Sequence, residues 1–497
     1  MSKLNKKLIF YILGLLLMFN GFAMLISAFV SYLTNDGVLN EMTLVSLLVI
    51  FFGWILMAIS KNNDRKINKR DAYFIVVLGW LTMVSSGMLP YIVTESISSF
   101  SNVFFETMSG YTTTGSTVIN DIDALPKSII FWRSMTHWLG GMGIIVLAIA
   151  ILPLLGIGGM QLFSAEAPGL TGDKIHPRIS DTAKRLWLIY VGLTLLETIL
   201  LKFAGMSFFD ALNNSMSNIA SGGFSTKNES IGFWNDSPLI QYIIIFFMFL
   251  AGTNFVLIYF GLTGKFKKIF QDTEFKWYVS FISVFVIIST IILFFNVNLS
   301  STDVYHPEVL GKFESSFRHS LFQVVALVTT TGFVTGDFVS WTPFLTMLFF
   351  GIMFMGGSSG STSGGVKVLR HLILIKNGFL EFKRSLHPNA IFPLRHNNHV
   401  VEKPIIIHVL AFFILYLILF IIGAGVLSAL GLDFASAIGG AASSLGNVGP
   451  ALGSLGPTTN FDSLPEIGKY WCSFLMLVGR LELFTVLIFF TPYFWKN

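Results

Sequence analysis

Cysteine is almost missing from this chain: Cys472 is the only one among 497 residues. A single thiol cannot form an intrachain disulfide, a cysteine-based zinc site or an iron–sulfur cluster. Charge is scarce too, with Asp, Glu, Lys and Arg making up 12% of the residues, about half of what a soluble domain carries. No P-loop, nucleophile elbow or HExxH pattern occurs, and no His/Asp/Glu cluster has metal-ligand spacing. An ATPase or a membrane protease therefore has little support. The net charge of +5 argues only weakly for nucleic acid, and a membrane protein collects such an excess in its cytoplasmic loops.

Apolar residues are abundant instead: 53% hydrophobic, mean hydropathy +0.72, with 51 Phe, 18 Met and 10 Trp. Crossing ~30 Å of hydrocarbon takes about 20 apolar residues. Ten runs qualify, near 8–31, 42–60, 73–94, 131–152, 186–205, 239–262, 277–297, 343–374, 404–430 and 468–494. The first follows Lys3, Lys6 and Lys7 and is longer than a signal-peptide core, so it reads as a membrane helix with a cytoplasmic start.

Loop charge tests this count. With the N-terminus inside, the cytoplasmic connectors contain Lys61, Arg65, Lys66, Lys69 and Arg70; Lys174, Arg178, Lys184 and Arg185; Lys265, Lys267, Lys268 and Lys276; and Lys376, Lys383, Arg384, Arg395 and Lys403. The opposite loops carry Asp121, Asp123, Glu229, Asp236, Asp303, Glu308, Asp337, Asp462 and Glu466. Every connector obeys the positive-inside rule.

Between the runs lies a phrase written four times: Thr112-Thr113-Thr114-Gly115, Ala220-Ser221-Gly222-Gly223-Phe224, Thr329-Thr330-Thr331-Gly332-Phe333 and Gly446-Asn447-Val448-Gly449-Pro450. The last glycines are spaced by 108, 109 and 117 residues. Each phrase follows a segment too short and polar to span, near 98–111, 208–220, 315–329 and 434–445. Such segments suit re-entrant helices enclosed by protein. One phrase alone would be a small-residue packing site. Four at a near-constant period predict an all-α polytopic protein with four helix–pore helix–loop–helix units around one pore. The units fall at 71–180, 181–272, 273–400 and 401–497, behind a two-helix leader, 1–70. All four phrases then face outward.

The chemistry of the phrases favours a cation. Backbone carbonyls can replace an ion's water without a fixed charge. Glycine lets the chain turn them toward an axis, and Thr and Ser add hydroxyls. Four helix C-termini, each with about −0.5 charge, would point at the same place. An anion pore would prefer Arg or Lys rings, and the phrases have none.

Two features lie outside the repeat. The eighth run is interrupted by Gly356-Gly357-Ser358-Ser359-Gly360-Ser361-Thr362-Ser363-Gly364-Gly365, which cannot hold a lipid-facing helix. It belongs to the third unit alone and could be a gate or only a kink. Arg480 sits mid-run, where an ionisable residue usually marks a pathway or a buried pair. It is expected to bond carbonyls of the glycine-serine stretch beneath the filter; a salt bridge with Glu482 is the alternative. Glu106 is expected to brace the first short helix; Glu197 also lies in apolar surroundings, and His137 and His319 read as packing residues.

Phe105-Glu106-Thr107-Met108-Ser109-Gly110 with the phrase after it, Gly222-Gly223-Phe224-Ser225-Thr226, Gly364-Gly365-Val366-Lys367-Val368 and Gly479-Arg480-Leu481-Glu482 resemble motifs of the TrkH/KtrB superfamily of potassium transporters. The resemblance covers almost the whole chain, and the leader is more similar to the TrkH branch. It implies filter glycines at Gly115, Gly223, Gly332 and Gly449, flanked by Thr113 and Thr114, Ser221 and Gly222, Thr330 and Thr331, and Asn447 and Val448. Gly222 departs from the Thr or Ile common there. Gating would fall to the glycine-serine stretch, Lys367 and Arg480. The resemblance further implies K⁺ as the transported ion, a homodimer in a bacterial inner membrane with cytoplasmic termini, and a TrkA-type regulatory subunit that binds the nucleotide. Gly115, rather than Ser, points to potassium. A Na⁺- or H⁺-coupled symporter is the nearest alternative, and a membrane enzyme or scaffold the distant one.

Overall fold

The computed structural model describes residues 4–61, 68–155, 179–299, 306–397 and 399–495. The connector charges Arg65, Lys66, Lys174, Arg178 and Asp303 lie outside the described residues. The described residues are mainly helical, with a small antiparallel pair that aligns Arg395 with Val400. Among the described residues six helices are long and apolar enough to cross a membrane: Lys6–Thr34, Leu39–Ile59, Arg70–Val93, Lys184–Phe203, Thr273–Asn296 and Lys403–Ala429. A further 29-residue helix runs over Lys127–Leu155.

The four short segments are helices, Phe100–Tyr111, Phe208–Ile219, Lys312–Val328 and Phe434–Gly446. Three start on a side-chain cap, Ser99, Ser207 or Asp433, each accepting a backbone N–H. They are enclosed by the longer helices, and most of their residues are buried.

Breaks in the second spanning helix are not confined to the third unit, as the sequence had indicated. In the second unit Pro238–Ala251 and Phe255–Leu262 meet at 109°, and in the fourth Glu466–Arg480 and Phe484–Phe490 meet at 111°. In the second unit Asn254 caps the new helix through Val256 N–H at 2.8 Å. In the fourth, Glu482 and Leu483 take positive φ of 57° and 32°. The third unit's second span is Pro343–Ile352, the glycine-serine stretch, then Val368–Leu386. Only the first unit keeps an unbroken helix there.

The two leader helices cross closely. A Cβ on Gly53 would lie 2.7 Å from the Gly14 carbonyl oxygen and 2.8 Å from the Met18 nitrogen. A Gly53→Leu substitution should force the two helices apart at a cost of about 1–3 kcal/mol. Thermal unfolding in detergent should show a lower midpoint; an unchanged midpoint would contradict the tight crossing.

Candidate ion pathway

Each short helix ends in the same turn. Thr113, Ser221, Thr330 and Asn447 take left-handed φ of 51°, 55°, 53° and 53°. Two residues on, Gly115, Gly223, Gly332 and Gly449 take φ of 84°, 85°, 70° and 107°. The residue between donates its N–H back to the helix: Thr114 to Ser109 at 2.9 Å, Gly222 to Ser217 at 2.8 Å, Thr331 to Ala326 at 2.9 Å and Val448 to Ser443 at 3.0 Å. Left-handed β-branched residues such as Thr113 and Thr330 are strained, at about 1–3 kcal/mol each, and persist where surrounding structure enforces them.

The four loops close on one another. A Cβ on Gly115 would collide with the carbonyl oxygen of Gly222, one on Gly223 with that of Thr331, and one on Gly332 with that of Val448. The series returns to its start, since a Cβ on Gly449 would lie 2.8 Å from the Thr114 oxygen. All four glycines line one cavity. Asn447 also ties the fourth loop to the first, donating from Nδ2 to Thr114 Oγ1 at 3.0 Å. Among the described residues, no donor bonds the carbonyl oxygens of Thr114, Gly222, Thr331 or Val448. Buried carbonyls need a partner, and each of these lies against the glycine of the neighbouring loop.

Buried polar groups hold each loop from behind. Glu106 accepts from Arg133 Nε at 2.9 Å and from Val118 N–H at 2.9 Å, with both side chains almost fully buried. Arg133 also donates to the Ser225 carbonyl at 3.3 Å and stacks over Phe224, so it joins the first and second loops. Asn218, on the second short helix, donates to buried Glu197 at 2.6 Å. In the third unit Arg318 contacts Glu314 and Gln241; Gln241 donates to Asn235, and Asn235 donates to the Thr335 carbonyl at 3.0 Å. At the rim, Asp462 accepts from Asn120 at 2.9 Å and Asn102 at 3.0 Å. Asn120 foremost, with Asn102 and Lys469, holds that carboxyl below its usual range. His137 stacks on Phe224, and its ring fills the space where a Cβ of residue 222 would go, which explains the glycine there. His319 bonds Thr335 Oγ1 at 3.0 Å.

The glycine-serine stretch lies directly beneath this ring. Gly364 N–H donates to Thr330 Oγ1 at 2.6 Å, and Thr362 Oγ1 sits 2.9 Å from Ser221 Oγ. The broken second-unit span supplies carbonyls to it: Ser358 N–H meets the Gly252 oxygen at 2.8 Å, and Thr362 Oγ1 meets that of Ala251 at 3.2 Å. Gly356, Gly357, Ser358, Ser361, Thr362, Ser363 and Gly364 are buried, and Ser359, Gly360 and Gly365 partly so. Charged groups grip it from several helices. Arg480 donates to the Thr362 carbonyl at 2.9 Å and to that of Gly140 at 3.1 Å. Glu274 accepts from Ser359 N–H at 2.6 Å, and Lys367 bonds oxygens of Ser361 and Ser363. Glu482, past the helix end with a φ of 57°, pairs with Arg370. Arg133, Glu274 and Arg370 escaped the sequence reading. Each is a charge at the edge of an apolar run, where an interfacial residue looks the same.

Helices that span, helices that stop halfway and a closed ring of glycine loops describe a polytopic membrane protein of the ion-transport class. The comparisons agree. The profile of the family TrkH, described as "Cation transport protein", matches residues 39–496. The chain is 40% identical over 489 residues to the "Trk system potassium uptake protein TrkH" of Escherichia coli K12, covering 98% of both chains. It is 36% identical over 497 residues to the protein of that name from Halomonas elongata, covering 99% of this chain and 100% of that one. The crystal structure of the potassium transporter TrkH from Vibrio parahaemolyticus superposes with a TM-score of 0.87 at 35% identity, over 99% of this chain and 100% of that one. The chain belongs to the TrkH family of cation transport proteins, which are transporters and not enzymes.

The Glu106–Arg133 pair yields a prediction. Glu106→Gln leaves a buried guanidinium without its anion, at a cost of about 3–5 kcal/mol. The melting temperature in detergent should fall, and adding Arg133→Met should recover part of the loss. A single variant as stable as the parent would show that the pair braces nothing.

Proposed function

We propose that this chain takes up K⁺ through the ring of glycine loops, as the membrane subunit of a Trk-type system in a bacterial inner membrane. The single observation that carries the reading is the closed ring, in which glycines at equivalent positions bring unbonded carbonyls of four units together. The printed function of the relatives supplies the ion. On this reading Thr113, Thr114, Gly115, Ser221, Gly222, Gly223, Thr330, Thr331, Gly332, Asn447, Val448 and Gly449 form the filter, with Thr and Ser hydroxyls and backbone carbonyls as its ligands. Unit boundaries at 71–180, 181–272, 273–400 and 401–497 follow the repeat.

The glycine-serine stretch is the barrier and Arg480 its lock, because its guanidinium is bonded to that stretch and places a positive charge on the ion's line of travel. Basic connectors support cytoplasmic termini and a cytoplasmic face for the helix Val368–Leu386. The system name borne by the relatives supports partner components. A second copy of the chain and a nucleotide-binding TrkA-type subunit fit, since this chain has no dinucleotide phrase of its own.

Growth of a K⁺-uptake-deficient bacterium on low K⁺ tests the filter. The parent chain should restore growth, and Gly223→Asp or Gly332→Asp should abolish it, because any side chain there strikes the neighbouring loop. Growth unchanged by both would exclude the ring as the pathway. In liposomes, K⁺ flux should persist without a Na⁺ or pH gradient; strict dependence on one would make the protein a coupled symporter. Arg480→Ala should raise that flux, and an unchanged rate would remove Arg480 from the barrier.

A further inference from the structure

Lys367 stands where the glycine-serine stretch enters the helix Val368–Leu386. Its ammonium donates to the Ser363 carbonyl, lies 3.1 Å from Ser363 Oγ, and reaches Ser361 Oγ at 3.4 Å and the Ser361 carbonyl at 3.5 Å. Two carbonyls and two hydroxyls surround one positive charge. No carboxylate takes part: Glu274 is engaged by Ser359 N–H and Glu482 by Arg370, and among the described residues Lys367 makes no ion pair. Ser358, whose carbonyl accepts from Ser361 Oγ, is buried and leaves its own hydroxyl without a partner among the described residues.

Neutral carbonyl and hydroxyl oxygens are the donor set that replaces water around a monovalent cation, as in the glycine ring above. An ammonium is a compact point charge with three donors and no acceptor, close to a dehydrated K⁺ in size and equal to it in charge. The cage is also in the right place. Ser363 is flanked by Thr362 and Gly364, which bond the ring residues Ser221 and Thr330.

We propose that the oxygens of Ser361 and Ser363 form a monovalent-cation site on the path below the glycine ring, and that the Lys367 ammonium is its tethered occupant, competing with the passing ion. This rests on the ring being the uptake path. The tether makes the competition intramolecular, so the ammonium acts at an effective concentration in the millimolar range or above. Arg480 differs in kind: its planar fork bonds two carbonyls from separate elements, Thr362 and Gly140, and does not mimic a spherical ion.

The test uses the full-length protein with Rb⁺ as the heavy probe. Lys367→Met should show Rb⁺ anomalous density in the cage as well as in the ring, and K⁺ flux into liposomes should rise severalfold. The parent should show Rb⁺ in the ring only. Lys367→Gln keeps an amide able to bond Ser363 and so preserves local structure if the Met variant does not fold; it should raise flux likewise. A folded variant with parental or lower flux and no Rb⁺ in the cage overturns the proposal while the ring remains the path. Rb⁺ at neither site and no flux from any protein overturns both.

Discussion

The contact on which the rest depends is backbone on backbone: the α-carbon of each ring glycine against a carbonyl of the next loop. Gly115 meets Gly222, Gly223 meets Thr331, Gly332 meets Val448 and Gly449 meets Thr114. None of these places has room for a Cβ, and each glycine has positive φ. Two independent constraints, space and backbone conformation, therefore select the same residue four times. The flanking residues are far less restricted, which is why Thr, Ser and Asn all serve at the left-handed position two residues earlier.

A ring of polar backbone set in apolar surroundings does not hold itself together, and the four units solve this with different chemistry. The first uses a buried ion pair, Glu106 with Arg133. The second uses Glu197 with Asn218, and the third a relay from Glu314 through Arg318, Gln241 and Asn235 to the Thr335 carbonyl. The fourth is tied at its rim through Asp462 to Asn102 and Asn120 of the first. Pseudo-symmetry is thus strict in the backbone of the loops and relaxed in their supports. That is expected if the ring geometry is what must be equal, since a brace needs only to be satisfied.

The same distinction explains what the sequence made legible. The phrases were readable because glycine at positive φ is a local demand, and the short helices because they are too polar and short to span. Arg480 was readable because a charge at mid-run has few explanations, and its bond to Thr362 agrees with that expectation. The breaks after Ala251 and Arg480 were hidden, because apolar residues continue on both sides and hydropathy does not register a bend of 109° or 111°. Arg133 and Glu274 were hidden because their partners, Glu106 and Ser359, lie 27 and 85 residues away. Pairings over such distances have no local signature.

Those hidden breaks change how the third-unit stretch is understood. A helix that ends inside the membrane leaves its last carbonyls unsatisfied, and Ala251 and Gly252 spend theirs on Thr362 and Ser358. The glycine-serine stretch is therefore seated by a neighbouring unit's interruption, not merely tolerated as a kink. Its other holds are ionic side chains, Glu274 and Arg480 on other helices and Lys367 at the stretch's own C-terminal end. Glu274 follows Thr273, whose N–H is bonded by Asn397 of the small hairpin at 2.8 Å, while Asn397 also donates to Asp272 at 2.8 Å. A continuous set of contacts thus runs from the hairpin through the helix start to Ser359. On the proposed reading the hairpin lies at the cytoplasmic face. A partner that shifts it would act on the stretch through Glu274, without touching the glycine ring. Selection and control would then rest on different atoms: backbone carbonyls fixed by steric closure above, and side-chain charges free to re-pair below.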